Sequence, residues 1–135
     1  MSQQSRRSPT TYVRGIDAET AACLTLVRHG WTILARRLRT EAGEIDIIAA
    51  QPDLLAIIEV KARRTLADAA LALSTNQRAR LIAAADIALA AHPEWAREGM
   101  RFDLIVVDAT GAVRRITDAF RLVFEIWSSG LELQR

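Results

Sequence analysis

Apolar residues in this chain recur at two different spacings, and each change of spacing marks a new element. Over Asp17–His29 the spacing is helical: Asp17 is placed to cap, Ala21, Leu24, Val27 and Arg28 follow the repeat, and Gly30 is a stop. Trp31–Leu38 alternates as a strand, which predicts Trp31, Ile33 and Ala35 on one face and Thr32, Leu34 and Arg36 on the other. Two short Ile-rich runs, Glu44–Ala50 and Leu54–Lys61, flank Gln51-Pro52-Asp53 and predict a β-hairpin. Thr75–Ala91 reads as a helix capped by Ser74 or Thr75, with Leu81, Ile82, Ala85 and Leu89 as its buried stripe. Met100–Asp108 is a further strand, and Thr110-Gly111 turns the chain into Val113–Ile116. Asp118 opens a last amphipathic segment, Ala119–Trp127, whose Phe120, Val123, Phe124 and Trp127 form an apolar stripe. The order α-β-β-β-α-β-β plus a C-terminal helix predicts an α/β domain with a central mixed sheet flanked by helices.

With 135 residues, 50% hydrophobic and 25% charged, the chain is expected to form one globular domain with its own core. Residues 1–14 read as a disordered tail, 15–127 as the domain and 128–135 as a C-terminal tail. No apolar run approaches the roughly eighteen residues of a membrane span, and no signal peptide is expected. Cys23, the single cysteine, falls within a helical apolar pattern and is expected in the core. The expected setting is the cytoplasm, away from membranes. A net charge of +2 is compatible with nucleic acid but does not argue for it alone.

Chemistry concentrates in the hairpin, whose apolar runs carry Asp46, Glu59 and Lys61. If Pro52-Asp53 forms a two-residue turn, Asp46 faces Glu59 and Glu44 faces Lys61, with Glu59 and Lys61 on one face. Opposed carboxylates repel unless a positive group stands between them. Hard divalent cations, Mg²⁺ or Mn²⁺, accept such oxygens and take further ligands from water and phosphate. Lys61 is the sole lysine among 18 cationic side chains, which points to a need for a compact point charge that guanidinium cannot replace. An acid, then Glu-x-Lys on the next strand, suits metal-assisted hydrolysis of a phosphodiester. A polar hairpin face with a cross-strand ion pair fits the spacing as well.

Asp46…Glu59-Val60-Lys61 resembles the PD-(D/E)-x-K signature of restriction-endonuclease-like nucleases. More of the chain resembles the YraN family of small bacterial proteins. The likeness is carried by Gly15, Glu19 to Ala22, Gly30-Trp31-Thr32-Ile33-Leu34-Ala35-Arg36, Gly43-Glu44-Ile45-Asp46-Ile47-Ile48-Ala49 and Glu59-Val60-Lys61-Ala62-Arg63. It resumes at Arg80-Leu81, Arg101-Phe102-Asp103 and Ala119-Phe120. The resemblance implies a restriction-endonuclease-like core and a Mg²⁺-dependent nuclease, with Asp46, Glu59 and the Val60 carbonyl as metal ligands. It also implies Lys61 at the reacting phosphate and Glu19 as a supporting acid from the first helix. A helix-dipole role for Glu19 remains open beside this.

Arg36, Arg37 and Arg39 precede the hairpin, Arg63 and Arg64 follow it, and Gln77, Arg78 and Arg80 open the next helix. These residues are the candidate nucleic-acid contacts, with DNA ahead of RNA. Solvated faces would carry the same charges. A non-catalytic nucleic-acid-binding module is the alternative to a nuclease, and an interaction protein acting through the C-terminal stripe is a third reading. The same stripe is a candidate homodimer surface.

Overall fold

A computed structural model describes residues 18–63 and 74–117. Residues 18–28 form helix α1. Strands β1 (Thr32–Thr40), β2 (Gly43–Gln51) and β3 (Leu54–Ala62) follow, then helix α2 (Thr75–Ala91), a 3₁₀ turn at Pro93–Trp95, β4 (Gly99–Val107) and β5 (Val113–Ile116). The five strands form one sheet in chain order. β1, β2 and β3 are antiparallel neighbours, β3 and β4 run parallel, and β5 returns antiparallel to β4. The parallel step requires a crossover, and α2 lies within it. This mixed sheet with a helix cluster on each face is the arrangement expected of a restriction-endonuclease-like core.

The two faces are built differently. On one, Leu81, Ala84, Ala85 and Ala88 of α2 pack with Ile45, Ile48, Leu55, Ile57 and Phe102. Ile82 and Leu89, expected in the buried stripe, flank this cluster partly buried. Ser74 caps α2 in a capping box: its hydroxyl accepts the Gln77 N–H, and the Gln77 side chain accepts the Ser74 N–H. On the other face, Ala18, Ala22, Cys23 and Leu26 of α1 join Trp31, Ile47, Ala49, Ala56, Ile58 and Ile105.

The buried side of α1 takes in Cys23 as expected but leaves out Leu24 and Val27 of the apolar repeat. Leu24 is 54% and Val27 57% exposed, while Ala22 is fully buried. Small residues let the helix approach a sheet face that is itself lined by Ala49 and Ala56, so close packing selects the alanine side over the bulkier one. The helix ends as expected at Gly30, whose φ of 87° is the left-handed value of a C-terminal cap. Gly30 N–H reaches Val27 O and Trp31 N–H reaches Leu26 O, which turns Trp31 into the core.

β1 also departs from strict alternation. A register shift between Ile33 and Ala35 sends Ala35 to the α2 side, away from Trp31 and Ile33. The residues expected to form the first-helix cap (Asp17), the C-terminal stripe and Arg64 lie outside the described ones. Among the described residues, no helix is long and apolar enough to cross a membrane.

Candidate active site

The ladder between β2 and β3 runs from Gln51↔Leu54 to Ile47↔Ile58, which is the register predicted from a two-residue turn. It stops one pair short of Asp46 and Glu59. On the other side, β1 pairs Arg36 with Ile47 and Leu38 with Ile45, and the Arg37–Asp46 pair between them is missing from the ladder. Arg37 takes a φ of 51°, a left-handed conformation uncommon for a side chain of its kind. Beyond that twist, Leu38 and Ile45 both turn to the α2 face. β2 thus leaves β3 at Asp46 and continues with β1 as a two-stranded ribbon, while β3 continues beside β4.

Asp46 stands in the fork. Its Oδ2 accepts the Val60 N–H at 2.8 Å, so a side-chain oxygen bonds the amide just beyond the point where the ladder ends. The same geometry brings Asp46 against Glu59. Burial first, then a hydrogen bond to Asp46 and its charge, push the Glu59 carboxyl up to about 9, against a smaller opposing effect of Lys61. The two carboxylates meet as predicted, through side chains at a parting of strands rather than as a ladder pair. Lys61 follows two residues after Glu59 on β3, opposite Val106 of β4, and is partly exposed.

Glu19 reaches the same region from α1. It is only 9% exposed, and among the described residues its Oε1 has no hydrogen-bond partner. Arg36 Nη2 lies 3.8 Å from that oxygen, too far for a hydrogen bond. Loss of water raises the Glu19 carboxyl above its ordinary range, Asp46 and Glu44 add to the rise, and Arg37 and Arg36 oppose it. A buried carboxylate oxygen without a donor is costly and invites a cation or a proton.

The expected pairing of Glu44 with Lys61 does not form. Glu44 lies past the fork, where β2 has left β3, and its carboxylate instead meets Arg37 Nε at 3.8 Å and Arg39 Nε at 3.7 Å. Arg39 and Glu44 are cross-strand neighbours on the ribbon, so the i, j pairing across a Thr40–Gly43 turn was the available signal. Thr40 Oγ1 fixes that turn by donating to Gly43 O at 2.7 Å and accepting the Ala42 and Gly43 N–H groups. At Gly43 a Cβ would lie 4.0 Å from Arg80 Cδ, so the stem of Arg80 brings α2 against the ribbon tip.

Of the other candidate arginines, Arg63 stands at the end of β3, and Arg78 and Arg80 in the first turns of α2. Arg63 follows β3 directly, its N–H bonded to Val107 O and its guanidinium to Ala62 O. Arg78 is partly buried in the first turns of α2, which carry no acidic residue. Gln77 is engaged in the capping box.

One contact escaped the sequence reading, in which Arg101-Phe102-Asp103 figured only as part of the family likeness. Arg101 grips the fully buried Asp103 carboxylate through two bonds of 2.8 and 2.9 Å. Arg101 and Arg115 each place the guanidinium carbon 5.5 Å from the centroid of the buried Trp31 ring. Arg-x-Asp spacing on one strand face was its only signal.

Among the described residues, no three His, Cys, Asp or Glu side chains converge as a ready-made metal cage. Asp46 and Glu59 converge as a pair, and Glu19, with its orphaned oxygen, lies within electrostatic reach of Asp46. Such a pair fits Mg²⁺, which keeps several waters and takes one or two carboxylates plus phosphate oxygens.

A model of the family described as "Uncharacterised protein family UPF0102" matches residues 18–107, from α1 to the end of β4. The chain belongs to this family. UPF0102 is the YraN family, so the motif likeness extends over most of the chain. A UPF0102 protein of Granulibacter bethesdensis is 62% identical over 113 residues, covering 84% of this chain and 72% of the relative. Another from Azorhizobium caulinodans is 48% identical over 117 residues, covering 87% and 89%. A third, from Rhodopseudomonas palustris, is 40% identical over 126 residues, covering 89% and 97%. The UPF0102 match spans Glu19, Asp46, Glu59 and Lys61 together.

Proposed function

We propose that this UPF0102 protein is a Mg²⁺- or Mn²⁺-dependent nuclease that hydrolyses phosphodiester bonds in nucleic acid, DNA ahead of RNA. The observation that carries the reading is the Asp46–Glu59 pair at the strand fork, two carboxyl groups in contact whose crowding a bound cation would relieve. Binding alone has no use for two carboxylates forced together beside the chain's single lysine. Asp46 and Glu59 would hold the metal, with the Val60 carbonyl as a further ligand and Glu19 supporting from α1. The bound ion would supply Lewis-acid stabilisation and an activated water. Lys61 holds its ammonium near the reacting phosphate, where a compact charge orients the water and balances developing negative charge. Arg36, Arg37, Arg39, Arg63, Arg64, Arg78 and Arg80, with Gln77, would contact the backbone. These groups address phosphate rather than base edges, which favours selection by nucleic-acid shape over sequence.

Purified protein incubated with Mg²⁺ or Mn²⁺ and linear, flapped, junction and single-stranded substrates tests the reading. The parent should cut at least one, and Asp46→Asn should not. Lys61→Arg should bind as well as the parent and cut about 10²–10³-fold more slowly. No cutting of any substrate by the parent overturns the proposal. The arginines on the β1–β2 ribbon and at the start of α2 would equally serve the second reading, a binding module of the same fold. Salt-sensitive binding without cleavage would select it.

A further inference from the structure

Glu44 is the acid that the nuclease reading leaves without a task. Its carboxylate lies between two guanidinium groups, at 3.8 Å from Arg37 and 3.7 Å from Arg39. Both contacts are longer than a hydrogen bond, and all three side chains are substantially exposed, Arg39 at 88%. Exposed pairs of this length are weak and screened by salt. The ribbon that carries them is held firmly by other means: the Thr40 hydroxyl closes its turn, and Leu38 and Ile45 anchor it against α2. Two positive groups thus stand on a fixed scaffold with one carboxylate loosely placed between them, Arg37 making a further contact as well. Glu44 is also within electrostatic reach of Glu19 and Glu59, so the same carboxylate borders both the arginines and the acids.

We infer that Glu44 is an internal stand-in for a nucleic-acid phosphate, holding Arg37 and Arg39 until a backbone phosphodiester displaces it. The inference rests on the nuclease reading and adds the subsite at which the substrate backbone docks beside the metal pair. A guanidinium binds phosphate through short charge-assisted bonds, often in pairs, which a carboxylate at this separation does not match. Exchange therefore favours the phosphate while excluding weaker anions. Glu44 is a positioning residue: it acts through the two arginines and lowers the affinity for nucleic acid that they would otherwise show.

Fluorescence anisotropy of a short labelled DNA duplex, measured in EDTA over a series of salt concentrations, tests this without cleavage. Glu44→Gln should bind roughly three- to tenfold more tightly than the parent, with a salt dependence steeper by about one ion. Glu44→Asp, which keeps the charge, should return towards the parental slope. Glu41→Gln removes the same charge from the exposed turn of the same ribbon and should give less than half the gain. In an Arg37→Gln/Arg39→Gln background, Glu44→Gln should add little. Unchanged affinity and slope in Glu44→Gln, an equal gain from Glu41→Gln, or an undiminished gain in the double-Gln background each overturns the exchange and leaves the nuclease reading standing. A parent that binds neither duplex nor single-stranded DNA overturns both.

Discussion

The fork brings the Glu59 carboxyl against Asp46 in a partly buried place, and burial together with that neighbour pushes Glu59 up to about 9. The consequence is a pH dependence with a definite sign. Glu59 ionises near its ordinary 4.5 in the unfolded chain but only near 9 in the folded, metal-free protein. Its contribution to stability is fully present below the lower value and is lost as pH rises through the upper one. Metal-free protein should therefore melt at falling temperature as pH increases across that window, and Glu59→Gln should flatten the decline. A parent and Glu59→Gln with parallel melting profiles would show that Glu59 is not raised in the folded protein. The meeting of these acids was legible in the chain, because the turn at Pro52-Asp53 fixes the register. What the register hid was Glu44: one twist at Arg37 carries it away from Lys61 and towards the arginines.

Elements were easier to place than their faces. The strands and α2 fall within a residue or two of the positions that apolar spacing gives. The orientation of α1 was missed because large side chains dominate a hydrophobic pattern, whereas Ala18 and Ala22 decide how closely a helix can lie on a sheet. β1 was misread for a related reason: a bulge is a local backbone event, and it leaves no trace in an alternating pattern. The Arg101–Asp103 pair shows how such faces are held where charge is buried. Asp103 lies beneath α1's side of the sheet, and Arg101 is bonded to it through both oxygens while covering Trp31. Removing the guanidinium takes two charge-assisted bonds from a buried carboxylate, so Arg101→Ala should cost about 1.5–3 kcal/mol. Chemical denaturation measures this directly, and a loss below about 1 kcal/mol would place the pair with ordinary surface bridges.

Across the whole molecule, the sheet divides at Asp46 into two bodies with different support. β3 has a neighbour on each side throughout its pairing with β2, whereas among the described residues the ribbon beyond Ile47 is backed by its own partner strand and α2. Segments with fewer partners open at lower cost, so the ribbon and the central strands should exchange their amide hydrogens at different rates. The Val60 N–H belongs to neither class. It points towards the gap β2 has left, and the carboxylate of Asp46, not a strand, shields it. This makes one backbone hydrogen a built-in spectroscopic probe of the fork. In the parent its exchange should be slow and its resonance should move as Mn²⁺ or Mg²⁺ is titrated in, while amides on the far end of β3 stay still. In Asp46→Ala it should exchange as fast as an amide in the ribbon tip. A Val60 signal that ignores both the substitution and the metal would mean that ions bind elsewhere on the molecule.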